Sequence, residues 1–288
     1  MQRFDIGRAF SLTWEVGRSS FLSCLAHVAM AGVAFVAIIT VFSFAFFGGW
    51  SVLSVMNSQS SGLFNDTASF VGVVLFALVA FLPFIAVQMS IFRSTSSFEG
   101  VDFPKAFLYG YGASVPVAVA VVLVYLLLAL PLGVLFLVFG FAVYAGDFNY
   151  LSTAGGLMVG FVAIIFLLLL LPVMLFLVSR LGLAGPIMAA RGSYNPFAAL
   201  AESWRQTKGL TLILMVYNFI ANLLITIIYY GIALFGTLLG AVGGEYFILI
   251  FSLPAYVFYL IASALVPVGI FRTLNDGQNT QELEETFG

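Results

Sequence analysis

Long runs of hydrocarbon side chains alternate with short polar segments along this chain, and the runs outlast anything a soluble core requires. Six stretches qualify: Ser20 to Phe47, Ala68 to Phe92, Ser114 to Tyr144, Leu157 to Val178, Leu210 to Leu239 and Phe247 to Phe271. A hydrocarbon layer about 30 Å thick takes roughly 20 apolar residues of helix, so each stretch reads as a transmembrane helix. Barrel strands would alternate lumen-facing and lipid-facing residues in short pieces, whereas Val162 to Leu177 is continuous hydrocarbon. The segment before the first run carries Asp5 and Glu15 among its arginines and has no small-residue cleavage site, so the run reads as a retained helix. The pattern predicts an all-α integral membrane protein with six transmembrane helices, a single domain over residues 1–274, and an acidic, solvated tail over 275–288.

Composition agrees, with charged residues at 8% and apolar residues at 62%, too little polar surface for a water-solvated fold of this length. Charge adds direction. All ten Lys and Arg residues, Arg3, Arg8, Arg18, Arg93, Lys105, Arg180, Arg191, Arg205, Lys208 and Arg272, fall on one side of the six-span map. The positive-inside rule makes that side cytoplasmic and puts both termini there. Of the twelve acids, Asp66, Asp147 and Glu245 fall on the opposite side, giving formal charges of +1 inside and −3 outside.

The polar segments repeat. Asp5 to Phe10 with Trp14, Asp102 to Phe107 with Tyr111, and Asn195 to Leu200 with Trp204 share one register: an Asp or Asn suited to a helix N-cap, an Ala followed by a large apolar residue, then an aromatic four positions on. Leu-Pro recurs in the even-numbered spans at Leu82-Pro83, Leu171-Pro172 and Leu253-Pro254, and Ile91-Phe92-Arg93 returns as Ile270-Phe271-Arg272. The expected architecture is a three-fold repeat, units about 1–97, 98–190 and 191–274, each an interfacial helix followed by a transmembrane hairpin. Trp14, Arg18, Lys105, Tyr111, Trp204, Arg205 and Lys208 would then lie at headgroup depth as candidates for lipid contact, anchoring being the plainer alternative.

Catalytic chemistry is sparse. No Asp, Glu, Lys or Arg falls within the central part of any span, which removes the intramembrane charge that proton-coupled pumps and voltage sensors use. The intramembrane polar candidates are His27, Gln88 and a stripe on the fifth span, Asn218, Asn222 and Thr226. The stripe either hydrogen-bonds across the bundle, with Gln88 the partner to test, or lines a wet path. Gly236, Gly240 and Gly244, like Gly156 and Gly160, have the spacing of close helix contacts within one molecule. Pro83, Pro131, Pro172, Pro254 and Pro267 free backbone carbonyls within or near spans. One Cys excludes an internal disulfide, and Cys24 with His27 falls short of a closed metal site. There is no Ser-His-acid set, no H-E-x-x-H and no phosphate-cradling Gly loop with Lys, so neither an enzyme nor a cofactor is expected. Ala190-Arg191-Gly192 carries a weak likeness to a coupling-helix signature of transporter subunits, and Asn65-Asp66-Thr67 fits a glycosylation sequon.

The segments Phe4 to Phe10 and Asn195 to Gly209, the latter containing Ser203-Trp204 and Lys208-Gly209, resemble the bacterial six-span family named for the membrane domain of glycerophosphoryl diester phosphodiesterase, with its YciC-like relatives. The resemblance implies a multi-pass protein of the bacterial inner membrane, acting in lipid or envelope homeostasis. In fused members the hydrolytic chemistry belongs to a separate (β/α)₈ barrel; this chain has no room for one. The leading expectation is a non-enzymatic membrane protein whose partners are membrane lipids. Its alternatives are a permease subunit working with a separate ATPase, and an accessory subunit of a larger membrane complex. Nucleic acid is not an expected partner.

Overall fold

The structure, a computed structural model, describes residues 4–47, 67–97, 101–145, 171–244 and 246–287. The helices are α1 (Ile6–Phe47), α2 (Thr67–Ser96), α3 (Phe103–Ala145), α4 over residues 171–181, α5 (Ala184–Arg191), α6 (Pro196–Gln206), α7 (Thr211–Gly243) and α8 (Tyr246–Phe287). No strand occurs among the described residues. Six helical stretches are long and apolar enough to cross a membrane, so this is an all-α, multi-pass membrane architecture. The fourth span is described from Leu171 onward. The sequon residues Asn65 and Asp66, and the Gly156 and Gly160 pair, lie outside the described residues.

Two expected interfacial helices do not exist as separate elements. α1 runs 42 residues and α3 runs 43, each carrying its polar opening segment without a break into the span. At 1.5 Å per residue these helices are about 63 Å long, twice the hydrocarbon thickness. Neither segment contains a breaker: Gly17, Gly110 and Gly112 continue as helix, since a helical Gly costs only about 1 kcal/mol. The third segment does form its own helix, α6, because Gly209 takes a left-handed φ of 85° and ends it before α7. In the C-terminal segment α8 continues as helix to Phe287. α7 ends at Gly243 and α8 begins at Tyr246, and Gly244 between them takes a φ of 99°.

The three polar segments nonetheless pack alike. Ala9, Ala106 and Ala199, equivalent in the repeat, are all buried, and each donates its backbone N–H to the carbonyl of the opening Asp or Asn at 3.0, 3.0 and 3.3 Å. One position before each aromatic stands a small residue that meets an even-numbered span. Thr13 lies against Gly269 of α8, Gly110 against Ala86 and Ser90 of α2, and Ser203 donates its hydroxyl to the Arg180 carbonyl of α4 at 2.7 Å. A Cβ at Gly110 would overlap the backbone of Ser90, so only glycine permits this crossing. Helices α2, α5 and α8 touch one another pairwise, which gathers the three units around one centre at the cation-bearing end. The buried core sits there, in the second half of α2, the first third of α3 and the Ala255 to Leu274 stretch of α8.

The glycine spacing on α7 serves this same internal packing. Gly236 faces Phe251 and Gly240 faces Ile248, both on α8, so the pair forms a tight antiparallel hairpin.

Candidate functional site

A cleft of about 490 Å³ lies where α2, α3, α8 and the α4 to α6 segment converge. Its walls are hydrocarbon: Phe81, Ile85 and Phe92 from α2, Val117 and Val121 from α3, Met174 and Leu177 from α4, with Ala264 and Pro267 from α8. Size and lining match a ligand pocket for an apolar molecule. Among the described residues, no charged side chain lines it. Two polar side chains do. The Ser263 hydroxyl is satisfied by donating to the Leu260 carbonyl at 3.0 Å, whereas the exposed Gln88 carboxamide has no hydrogen-bond partner among the described residues.

The cation-bearing end of the cleft is lined by α5 and α6, and local sequence explains that hairpin. Gly182 and Leu183 form a turn between α4 and α5, and Gly185 allows α5 to lie against the Phe92 ring. Gly192, at φ 62°, closes α5: its N–H reaches the Ala189 carbonyl at 3.1 Å and that of Ser193 reaches Met188 at 3.0 Å. Asn195 then caps α6, accepting from the Ala198 N–H at 3.1 Å, with Pro196 at the favoured first position. Gly185, Met188, Pro196 and Leu200 contribute surface to the cleft.

Three arginines fasten this end. Arg93 donates to the Ala189 and Ala190 carbonyls at the end of α5 (2.5 and 3.1 Å) and lies over the Tyr109 ring, whose hydroxyl donates to the Ser193 carbonyl. Arg272 donates twice to the Thr95 carbonyl at the end of α2, at 2.6 and 3.1 Å. Arg180 donates to the Trp204 carbonyl near the end of α6 at 3.0 Å and stacks 4.6 Å from the Trp204 ring. In each case a cation sits where the helix leaves carbonyls unpaired and its dipole is negative. The recurring Ile-Phe-Arg thus has one physical job in both copies, although its spacing from Leu-Pro differs by about two helical turns between them.

The candidate interface residues divide. Trp14 is 75% exposed and Arg18 stands exposed one turn on, as do Lys105 and Lys208. Lys105 pairs with Asp102 at 3.3 Å. Arg205 pairs with Glu202 at 2.6 Å, and Arg191 approaches the same carboxylate at 3.8 Å. Trp204 is exposed, though less than Trp14, with its ring edge-on to Phe176. Tyr111 departs most from a headgroup role: its ring packs on Phe107 and its hydroxyl is buried without a partner.

Among the intramembrane polar residues, His27 is fully buried, its Nδ1 2.7 Å from the Ser23 carbonyl and its ring 4.4 Å from that of Phe103. Asn218 does not meet Gln88. It reaches the Ser179 hydroxyl on α4 at 3.4 Å and the Leu214 carbonyl at 2.9 Å, while Asn222 donates to the Asn218 carbonyl at 2.8 Å. Thr226 is half-buried beyond them. The stripe therefore begins as packing between α4 and α7, is exposed at Asn222 and is half-buried again at Thr226. The three arginine caps were invisible in sequence because their partners are backbone carbonyls. Gln88 left a signal, an amide within an apolar run, but not the direction in which it points.

No group of three or more His, Cys, Asp or Glu able to hold a metal occurs among the described residues. No family model, curated protein or solved structure matches this chain.

Proposed function

We propose that this chain is a non-enzymatic lipid-binding protein of the bacterial inner membrane, with both termini in the cytoplasm, serving lipid or envelope homeostasis or the transport of lipid. The observation that carries the reading is the hydrocarbon-lined cleft of about 490 Å³ in a bundle built to sit among lipids. Such a cavity excludes charged solutes, because nothing in its lining would compensate their desolvation. Exposed Trp14, Arg18 and Lys208 support it from the surface, as residues suited to the polar layer above anionic lipids. The one-sided cations support the orientation, and the resemblance of Asn195 to Gly209 to the six-span family supports the compartment.

The test is native mass spectrometry of protein purified in mild detergent, with extraction and identification of whatever lipid stays bound. Val121→Trp and Ser263→Phe, which fill the cleft, should strip that lipid, while Leu126→Trp on an exposed α3 position should leave it. Equal lipid in all three variants would sink the proposal.

A further inference from the structure

Gln88 is an exposed amide on the cleft wall, a donor and acceptor without a hydrogen-bond partner among the described residues. An apolar molecule that fills the cleft covers this amide, and covering it unpaired is costly, so the occupant has to offer it a hydrogen bond. We infer that Gln88 reads the ester carbonyl of an acyl-chain lipid, making an ester-linked diacyl lipid the occupant. This rests on the lipid-binding reading above and narrows it.

Chemistry separates the candidates. A free fatty acid would bring a carboxylate into a cleft with no cation among its described lining residues, which low polarity penalises heavily. A pure hydrocarbon or a dialkyl ether lipid would leave the amide N–H without a carbonyl acceptor. An ester supplies a neutral carbonyl at the head of a long apolar chain, matching one amide in an otherwise apolar wall. Depth agrees. Gln88 precedes Arg93 on α2 by five residues, about 7.5 Å of helix, and Arg93 marks the polar end where it caps α5. The polar layer of a bilayer is about 5–8 Å thick on each side, so Gln88 falls at the boundary where glycerol esters meet hydrocarbon. A second groove, about 450 Å³ between α1, α2 and α8, is lined by residues such as Gly32, Pro83, Phe84 and Leu260 and presents no comparable amide, so it provides an internal control.

The experiment is a competition read by native mass spectrometry. Full-length protein is offered a diacyl phosphatidylethanolamine and its dialkyl-ether analogue of equal chain length and headgroup. One neutral hydrogen bond gives wild type an ester preference of roughly 3- to 10-fold. Gln88→Leu, close in volume and apolar, should reduce the preference to about twofold or less while still binding lipid. Equal binding of both lipids by wild type overturns the Gln88 inference and leaves lipid binding standing. A preference retained in Gln88→Leu overturns it as well, since another group would then read the ester. Binding of neither lipid overturns the lipid-binding reading itself. The wild-type comparison decides the matter even if the variant fails to fold.

Discussion

Arg93, Arg180 and Arg272 sit at the same end of the bundle as Arg18 and Lys208, carry the same charge and do different work. The first three direct their guanidinium groups to carbonyls that end neighbouring helices. Arg18 and Lys208 are exposed and make no ion pair among the described residues. A cation at a membrane boundary is thus either a fastener between helices or a contact for what lies outside. Which it is depends on whether an uncapped helix end comes within reach. The planar fork of Arg suits the fastening role, since it can donate to two carbonyls at once or twice to one. The exposed pair needs only a positive charge on a long stem.

Arg93→Ala should break the contrast hardest. It removes charge-assisted bonds to two carbonyls and the contact with the Tyr109 face, leaving the end of α5 uncapped beneath half-buried surroundings. Charged hydrogen bonds contribute about 1.5–3 kcal/mol each, so a loss of about 3 kcal/mol or more is expected, read as resistance to thermal or detergent unfolding. Arg93→Lys should recover only part, because one ammonium cannot reproduce the fork. Arg272→Ala comes next at about 2 kcal/mol or more, from the loss of the two charge-assisted bonds to the Thr95 carbonyl. Should either alanine variant melt like wild type, the fastening role would be lost.

Glu202 offers a smaller, pH-dependent test of the same end. Its carboxyl is held below the ordinary glutamate value of 4.5, first by the hydrogen bond from Arg205, with Gln206 and the charges of Arg205 and Arg191 adding and burial opposing. A carboxyl more acidic folded than unfolded contributes stability that is present above its unfolded value and lost as pH falls through its folded one. Hydrogen exchange in α6 should therefore quicken as pH drops below about 4, after correction for the intrinsic rate. Glu202→Gln should flatten that response. Unchanged protection in wild type at low pH would show that Glu202 does not hold α5 and α6 together.

The six spans were legible because length and hydropathy are properties of contiguous residues, and lipid imposes them directly. The shared register of the polar segments was legible as well, since Asp5, Asp102 and Asn195 each open a helix and place a buried Ala four residues on. What failed was continuity. The polarity of residues 6–19 and 103–113 looked like separate helices, yet without a left-handed glycine nothing ends them, whereas Gly209 ends α6. Partner identity also failed. Asn218 faces Ser179 and Gln88 faces the cleft because each is set by helix rotation, which no local pattern encodes. Tyr111 shows the same limit, sharing a register with two exposed tryptophans but turning its hydroxyl inward.

The weakest expected effect on folding is the most telling for the other half of the contrast. Arg18→Gln and Lys208→Gln remove charge from exposed positions without touching a buried contact, so stability in detergent should stay within about 0.5 kcal/mol of wild type. Reconstituted into vesicles, the same variants should lose enrichment for anionic over zwitterionic lipid in the surrounding shell, by about 1 kcal/mol for each charge near the surface. Raised salt should shrink the wild-type preference and leave the double variant unchanged, because surface attraction decays over about 8 Å at physiological ionic strength. A double variant that melts early would place Arg18 or Lys208 among the fasteners. One that keeps full stability and full anionic enrichment would make these two cations markers of orientation alone and shift lipid selection away from them, toward the cleft.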